Sequence, residues 1–119
     1  MRAVNVTRDQ VLADKMDWAG TSATRRKGLL GRETFEHGEA IYLAPCQWIH
    51  MFGMKFAIDV LFLAKDGRVL ALHHALKPGR VSRLVWRAEG ALELPAGTLA
   101  STDTQVGDRV SFVEEPGAS

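Results

Sequence analysis

The chain runs Phe56-Ala57-Ile58-Asp59-Val60-Leu61-Phe62-Leu63-Ala64, then Lys65-Asp66-Gly67, then Arg68-Val69-Leu70-Ala71-Leu72-His73-His74-Ala75-Leu76. The first run is apolar on both alternating faces except at Asp59, as a buried strand is. Asp-Gly between two such runs marks a hairpin, because both central residues of a type I′ turn need positive φ. Phe56 to Ala64 and Arg68 to Leu76 therefore read as an antiparallel pair with its tip at Asp66-Gly67.

Upstream of this pair, Glu39 to Leu43 alternates as a strand that Pro45 ends. An extended chain from Cys46 to Met54 would set Cys46, Trp48, His50, Phe52 and Met54 on one face. Downstream, Leu84 to Leu94 and Asp108 to Val113 read as strands, with Pro95-Ala96-Gly97 and Gly107-Asp108 as punctuation. Arg2 to Thr7 alternates as a short strand, whereas Asp9 to Gly20 is mixed and reads as irregular. Ser22 resembles the N-cap of a short helix over Ala23 to Leu30 with Gly31 as its stop. Gly28 inside that helix costs about 1 kcal/mol relative to Ala. Six or seven strands and one short helix predict an α+β, mainly β fold, an antiparallel sheet curled into a small barrel or sandwich. Strands outnumber helices too heavily for a parallel βαβ architecture.

At 119 residues the chain is one domain's worth, read as a single globular domain over 1–113 with a frayed tail at 114–119. A hydrophobic share of 46% against 24% charged excludes wholesale disorder. Fifteen basic against fourteen acidic residues leave +1, too balanced for an acidic or basic specialist. A single cysteine excludes an intramolecular disulfide and a cysteine-rich zinc site. The start has no apolar signal-peptide core, and the longest apolar stretch, Val60 to Ala64, falls far short of the ~20 residues that span a bilayer. The expectation is a soluble cytoplasmic protein, not membrane-bound, that is a monomer or weak homodimer.

Three segments together resemble the family known as domain of unknown function 192. They are Arg25-x-x-Gly28-Leu29-Leu30-Gly31-Arg32; His50-Met51 through Ile58-Asp59-Val60-Leu61-Phe62 to Asp66-Gly67-x-Val69; and Leu92-Glu93-Leu94-Pro95-Ala96-Gly97 followed by Gly107-Asp108. The resemblance covers about the whole chain and implies a small, mainly β domain, but it brings no established activity. The positions it carries over are Arg25, Gly28, Asp59, Glu93, Gly97 and Asp108. Many members have Trp-Met-Lys-Asn-Thr before the aspartate. Here the tryptophan position is His50 and the Asn-Thr positions are Gly53-Met54, so roles resting on that indole or amide do not transfer.

Asp59 is the most informative single position. By alternation it shares a face with Ala57, Leu61 and Leu63, where a bare carboxylate is costly, so a partner is expected. A two-residue loop sets it opposite His74; a three-residue loop with a bulge gives His73. Such a pair either pins strand register or serves as a base or ligand anchor in a cleft. Cys46 and His50 have the makings of a nucleophile and base, or with Met51 and Met54 of a soft metal-ligand set. Alternation puts Met51 on the other face, and cysteine and methionine ordinarily fill cores, so no metal and no cofactor are expected and Cys46 should be a partly or fully buried, unreactive thiol.

Arg25, Arg26, Lys27 and Arg32 form one basic cluster and Lys77, Arg80, Arg83 and Arg87 a second. Neither has the aromatic spacing of an RNA platform, so both read as solvated faces and nucleic acid is disfavoured as a partner. Glu93 alternates with Glu89 and Ala91 and reads as lying on the more polar face, with Arg25 as a candidate partner. Gly97 and Gly107 read as turn glycines. The leading expectation is a non-catalytic binding or accessory module for a small ligand or protein, with a polar pocket of His50, Met54, Asp59 and His74 near Cys46. Its rivals are a hydrolytic or thiol-dependent enzyme using Asp59, a histidine and Cys46, and a nucleic-acid accessory protein using the basic patches.

Overall fold

The computed structural model describes residues 1–21 and 29–114. Its strands are β1 (Arg2–Asn5), β2 (Gln10–Ala13), β3 (Lys15–Ala19), β4 (Glu39–Leu43), β5 (Ile58–Leu63), β6 (Val69–Leu76), β7 (Gly90–Pro95) and β8 (Val110–Val113), and its helix is α1 (Thr98–Thr102). They form a three-stranded sheet ordered β2-β1-β8 and a five-stranded sheet ordered β3-β4-β7-β5-β6. Every pairing is antiparallel except β3 with β4. The mainly β, α+β expectation holds, as a sandwich-like arrangement and not a closed barrel.

The five-stranded sheet separates two apolar cores. On one face Leu61, Leu63, Leu92 and Leu94 meet Ala3, Leu12 and Val110 of the smaller sheet and Leu99 of α1. On the other, Ile58, Val60, Phe62 and Ala91 are covered by Ile49, Met51 and Ala88 from two long loops. β5 and β7 are buried along their whole length. That accounts for the continuous apolar run in β5, since a strand with a core on each face has no polar side to show.

The hairpin forms where expected, with a three-residue loop. Gly67 N–H donates to Ala64 O at 2.9 Å and Ala64 N–H to Arg68 O at 2.9 Å. Gly67 has φ 89°, and a Cβ there would lie 2.2 Å from Val110 O, so glycine is required twice over.

Two expectations are corrected, and others fall outside the described residues. Asp9 to Gly20 is ordered as β2 and β3: a bulge at β1 pairs Ala3 with Ala13 but Val4 with Val11, so the neighbours Leu12 and Ala13 are both buried and period two is lost. The helix expected over Ala23 to Leu30 lies largely outside the described residues, as do Arg25, Gly28 and residues 115–119 of the expected tail. The helix among the described residues is α1, directly after Pro95-Ala96-Gly97. Leu84 to Glu89 is loop, and only Gly90–Pro95 of that stretch pairs as strand.

Candidate functional site

Asp59 is fully buried at 0% exposure, and its partners are backbone, not imidazole. Oδ1 accepts from Ala75 N–H at 2.8 Å, and Oδ2 from Gly97 N–H at 3.1 Å and Leu99 N–H at 2.9 Å. Gly97 is the N-cap of α1, in the left-handed region at φ 97°, and has no side chain to cap the turn. Asp59 supplies that cap from the neighbouring strand. Ala75, at φ 49°, marks an irregularity in β6 where Val60 pairs with His73 and Ile58 with Leu76. The irregularity turns the Ala75 N–H inward and leaves His74 exposed. His73 faces Phe62 edge-on, and its Nε2 accepts from Arg83 N–H at 3.4 Å. Burial, and then the Arg83 charge, hold its pKa below the ordinary imidazole value.

The expected pocket does not form between Asp59 and His50. Asp59 shares its face with Leu61 and Leu63, on the α1 side, whereas the His50 segment covers the opposite face through Ile49 and Met51. Met54 and Cys46 pack half-buried against that second core. The Cys46 thiol donates to Trp48 O at 3.1 Å.

Of the five residues expected on one face of the Cys46–Met54 segment, the middle three turn to solvent, while Cys46 and Met54 at its ends turn to the core. Ile49 and Met51 are buried, while Trp48, His50 and Phe52 are exposed. It runs antiparallel to Arg80–Val85 as an irregular ribbon. Met51 N–H donates to Arg80 O (2.7 Å), Ser82 N–H to Ile49 O (2.8 Å), Val85 N–H to Gln47 O (2.8 Å), and His50 bridges Val81. The buried Ser82 locks the ribbon further by accepting from Ile49 N–H at 2.9 Å. On the outer surface the His50 and Phe52 rings stack at 4.9 Å and 25°, and Trp48 lies 6.1 Å from His50, tilted 48°. Trp48 is 49% exposed and Phe52 55%, with Val81, Leu84 and Trp86 also exposed. Lys77, Arg80, Arg83 and Arg87, within or flanking the 80–85 half of the ribbon, are exposed and enter no ion pair among the described residues. The sequence carried half of this signal, the shared face of Trp48, His50 and Phe52. It did not show that the basic stretch pairs with that segment.

Glu93 differs most from its expected setting. It stands in the middle strand of the five, opposite Ile41 and Val60, with only 7% exposure. It faces the second core rather than a polar surface. Burial pushes its carboxyl up to about 7. It has no hydrogen-bond partner among the described residues. Its expected pairing with Arg25 lies outside the described residues.

Asp108 is structural. Burial raises its pKa, but hydrogen bonds from Arg8, Asn5 and the Gln105 N–H outweigh that and hold it below the ordinary carboxyl value. In the first basic cluster, Arg32 pairs with Glu39 at 2.5 Å; Arg25, Arg26 and Lys27 lie outside the described residues. No described helix is long and apolar enough to cross a membrane.

A family model described as an uncharacterised conserved region (Uncharacterized ACR, DUF192) matches residues 3–112. A UPF0127 protein of Thermococcus sibiricus (strain DSM 12597 / MM 739) is 28% identical over 118 residues, covering 94% of this chain and 75% of that one. A crystal structure of a protein of unknown function from Novosphingobium aromaticivorans DSM 12444 superposes with TM-score 0.80 at 20% identity, over 93% of this chain and 82% of that one. A proposed transcription regulator from Sinorhizobium meliloti 1021 superposes with TM-score 0.77 at 23% identity, over 92% and 89%. At these identities the two structures show a shared fold.

Proposed function

This chain belongs to the DUF192 family of unknown function, and from that premise we propose that it is a non-catalytic binding module whose partner docks on the Trp48–His50–Phe52 face. One observation carries the reading: three rings are held side by side in solvent on a ribbon anchored to the core by Ile49, Met51 and Ser82. Exposed aromatic surface forgoes roughly 25 cal/mol per Å² of burial, and a contiguous patch of it marks an interaction site. The backbone bonds of the ribbon order the rings in advance, which lowers the entropy lost on docking. The Cys46 thiol is held by a carbonyl acceptor, which supports a binding role over a thiol-enzyme one. A lone cysteine fits the cytoplasm, where we place the module as a monomer or weak homodimer.

A photo-crosslinking amino acid at Phe52, compared in cells with one at Val106, tests this. Val106 is 61% exposed on the loop after α1. A discrete adduct at Phe52 with none at Val106 is the expected result. Equal labelling at the two positions, or none at Phe52, contradicts it.

A second reading rests on Glu93. A donor-bearing small ligand reaching that carboxyl would supply the hydrogen bond it lacks among the described residues. Amide-resolved titration with small amines should then perturb β7, and Glu93→Leu should abolish the effect.

A further inference from the structure

We infer that the ribbon face is a binding surface for single-stranded nucleic acid, with bases on the rings and phosphates on the cations. The inference rests on the binding-face reading above and names its ligand class. The ribbon joins two sequence stretches that separately carry half of such a site. The 46–54 segment contributes three aromatic rings, of which Trp48 is 49% and Phe52 55% exposed. The 80–85 segment, antiparallel to it, carries Arg80 and Arg83 around Val81, the residue that bridges His50, with Lys77 before the segment and Arg87 after it.

Every base has a π-face, so exposed rings bind single strands with little sequence preference, and adjacent cations track the backbone. In a duplex those faces are stacked on neighbouring bases, so the surface discriminates in favour of the single strand. Charge argues against a second copy of this chain as the occupant. A two-fold contact over this face would gather two sets of these four exposed cations into one interface. The nearby cation Lys55 pairs with Glu33, whereas these four enter no ion pair among the described residues. An acidic peptide would use the cations but would leave the exposed Trp48 and Phe52 rings without a stacking partner.

The test is fluorescence anisotropy of the full chain with a labelled oligothymidylate of about 15 nucleotides. Its duplex form and dextran sulfate serve as competitors, between about 50 and 200 mM salt. The expected result is saturable binding at least ~10-fold tighter to the single strand than to the duplex. Trp48→Ala and Phe52→Ala should each weaken it ~5- to 100-fold. Arg83→Glu should weaken it and reduce the log–log salt slope by about one. Unchanged thermal midpoints in these variants separate a lost contact from a lost fold. Absence of binding, equal affinity for duplex and dextran sulfate, or indifference to the ring substitutions would overturn the inference. So would a concentration-dependent dimer that Trp48→Ala dissolves. A Phe52 crosslink that protease removes and nuclease does not would overturn this inference alone and leave the binding face standing.

Discussion

Replacing Asp59 by alanine leaves three backbone N–H groups, the buried one of Leu99 and the part-buried ones of Ala75 and Gly97, without an acceptor. An unmade buried hydrogen bond costs about 1–3 kcal/mol, and water can reach some of these donors once the side chain is gone. Asp59→Ala should therefore lower stability by about 2–4 kcal/mol in urea titration, while His74→Ala changes it by less than about 0.5 kcal/mol. The reverse pattern would restore the imidazole pairing expected from the hairpin count. Glu93 makes a pH-dependent prediction. Its carboxyl titrates near 7 in the fold and at the ordinary 4.5 when unfolded, so the folded state holds the extra proton between those values. Stability should then fall as pH rises through that window, by about 3 kcal/mol from the shift. Glu93→Gln should flatten the slope. A wild-type protein equally stable at pH 5 and pH 7.5 would contradict this. That a carboxylate at position 59 needed a partner was legible from its apolar neighbours. The partner was not, because two of its donors are backbone groups 38 and 40 residues further along the chain, and backbone donors leave no mark in a residue sequence.

The elements divide along the same line. β4, β5 and the Asp66-Gly67 hairpin were legible because alternation and turn chemistry are local. β2 and β3 were not, because the bulge in β1–β2 pairing breaks the period that identifies a strand. The helix α1, Thr-Leu-Ala-Ser-Thr, has weak intrinsic propensity and is held from outside, by Leu99 in the core and by Asp59 at its start. The glycines that punctuate these elements are testable. Gly67→Ala should cost about 1–3 kcal/mol, since φ 89° and a 2.2 Å approach to Val110 O both oppose a side chain. A variant as stable as wild type would show that the tip can move away from β8. The ribbon of 46–54 on 80–85 was half legible. The common face of Trp48, His50 and Phe52 follows from alternation, whereas its pairing with the basic stretch is a tertiary contact across about thirty residues.

Across the whole molecule, two cores and two sheets assign different duties to the two ends of the sandwich. One end is closed by polar contacts. Asp108 accepts from Asn5 at 3.0 Å and Arg8 at 2.6 Å, tying the first strand to the last. Because its pKa is lowered in the fold, this tie contributes fully above the unfolded value near 3.8 and fades as pH falls through the folded one. Asp108→Ala should destabilise by about 1–3 kcal/mol at neutral pH and progressively less in acid. The other end carries the loops that roof the second core and present the rings. Binding, on our proposal, takes place at this end. The most direct measurement is amide-resolved NMR titration of the full chain with the same oligothymidylate. Shifts confined to Gln47–Gly53 and Gly79–Val85, with β7 and α1 unmoved, are the predicted result. Shifts centred on β7 around Glu93 or on α1, with the ribbon silent, would contradict it.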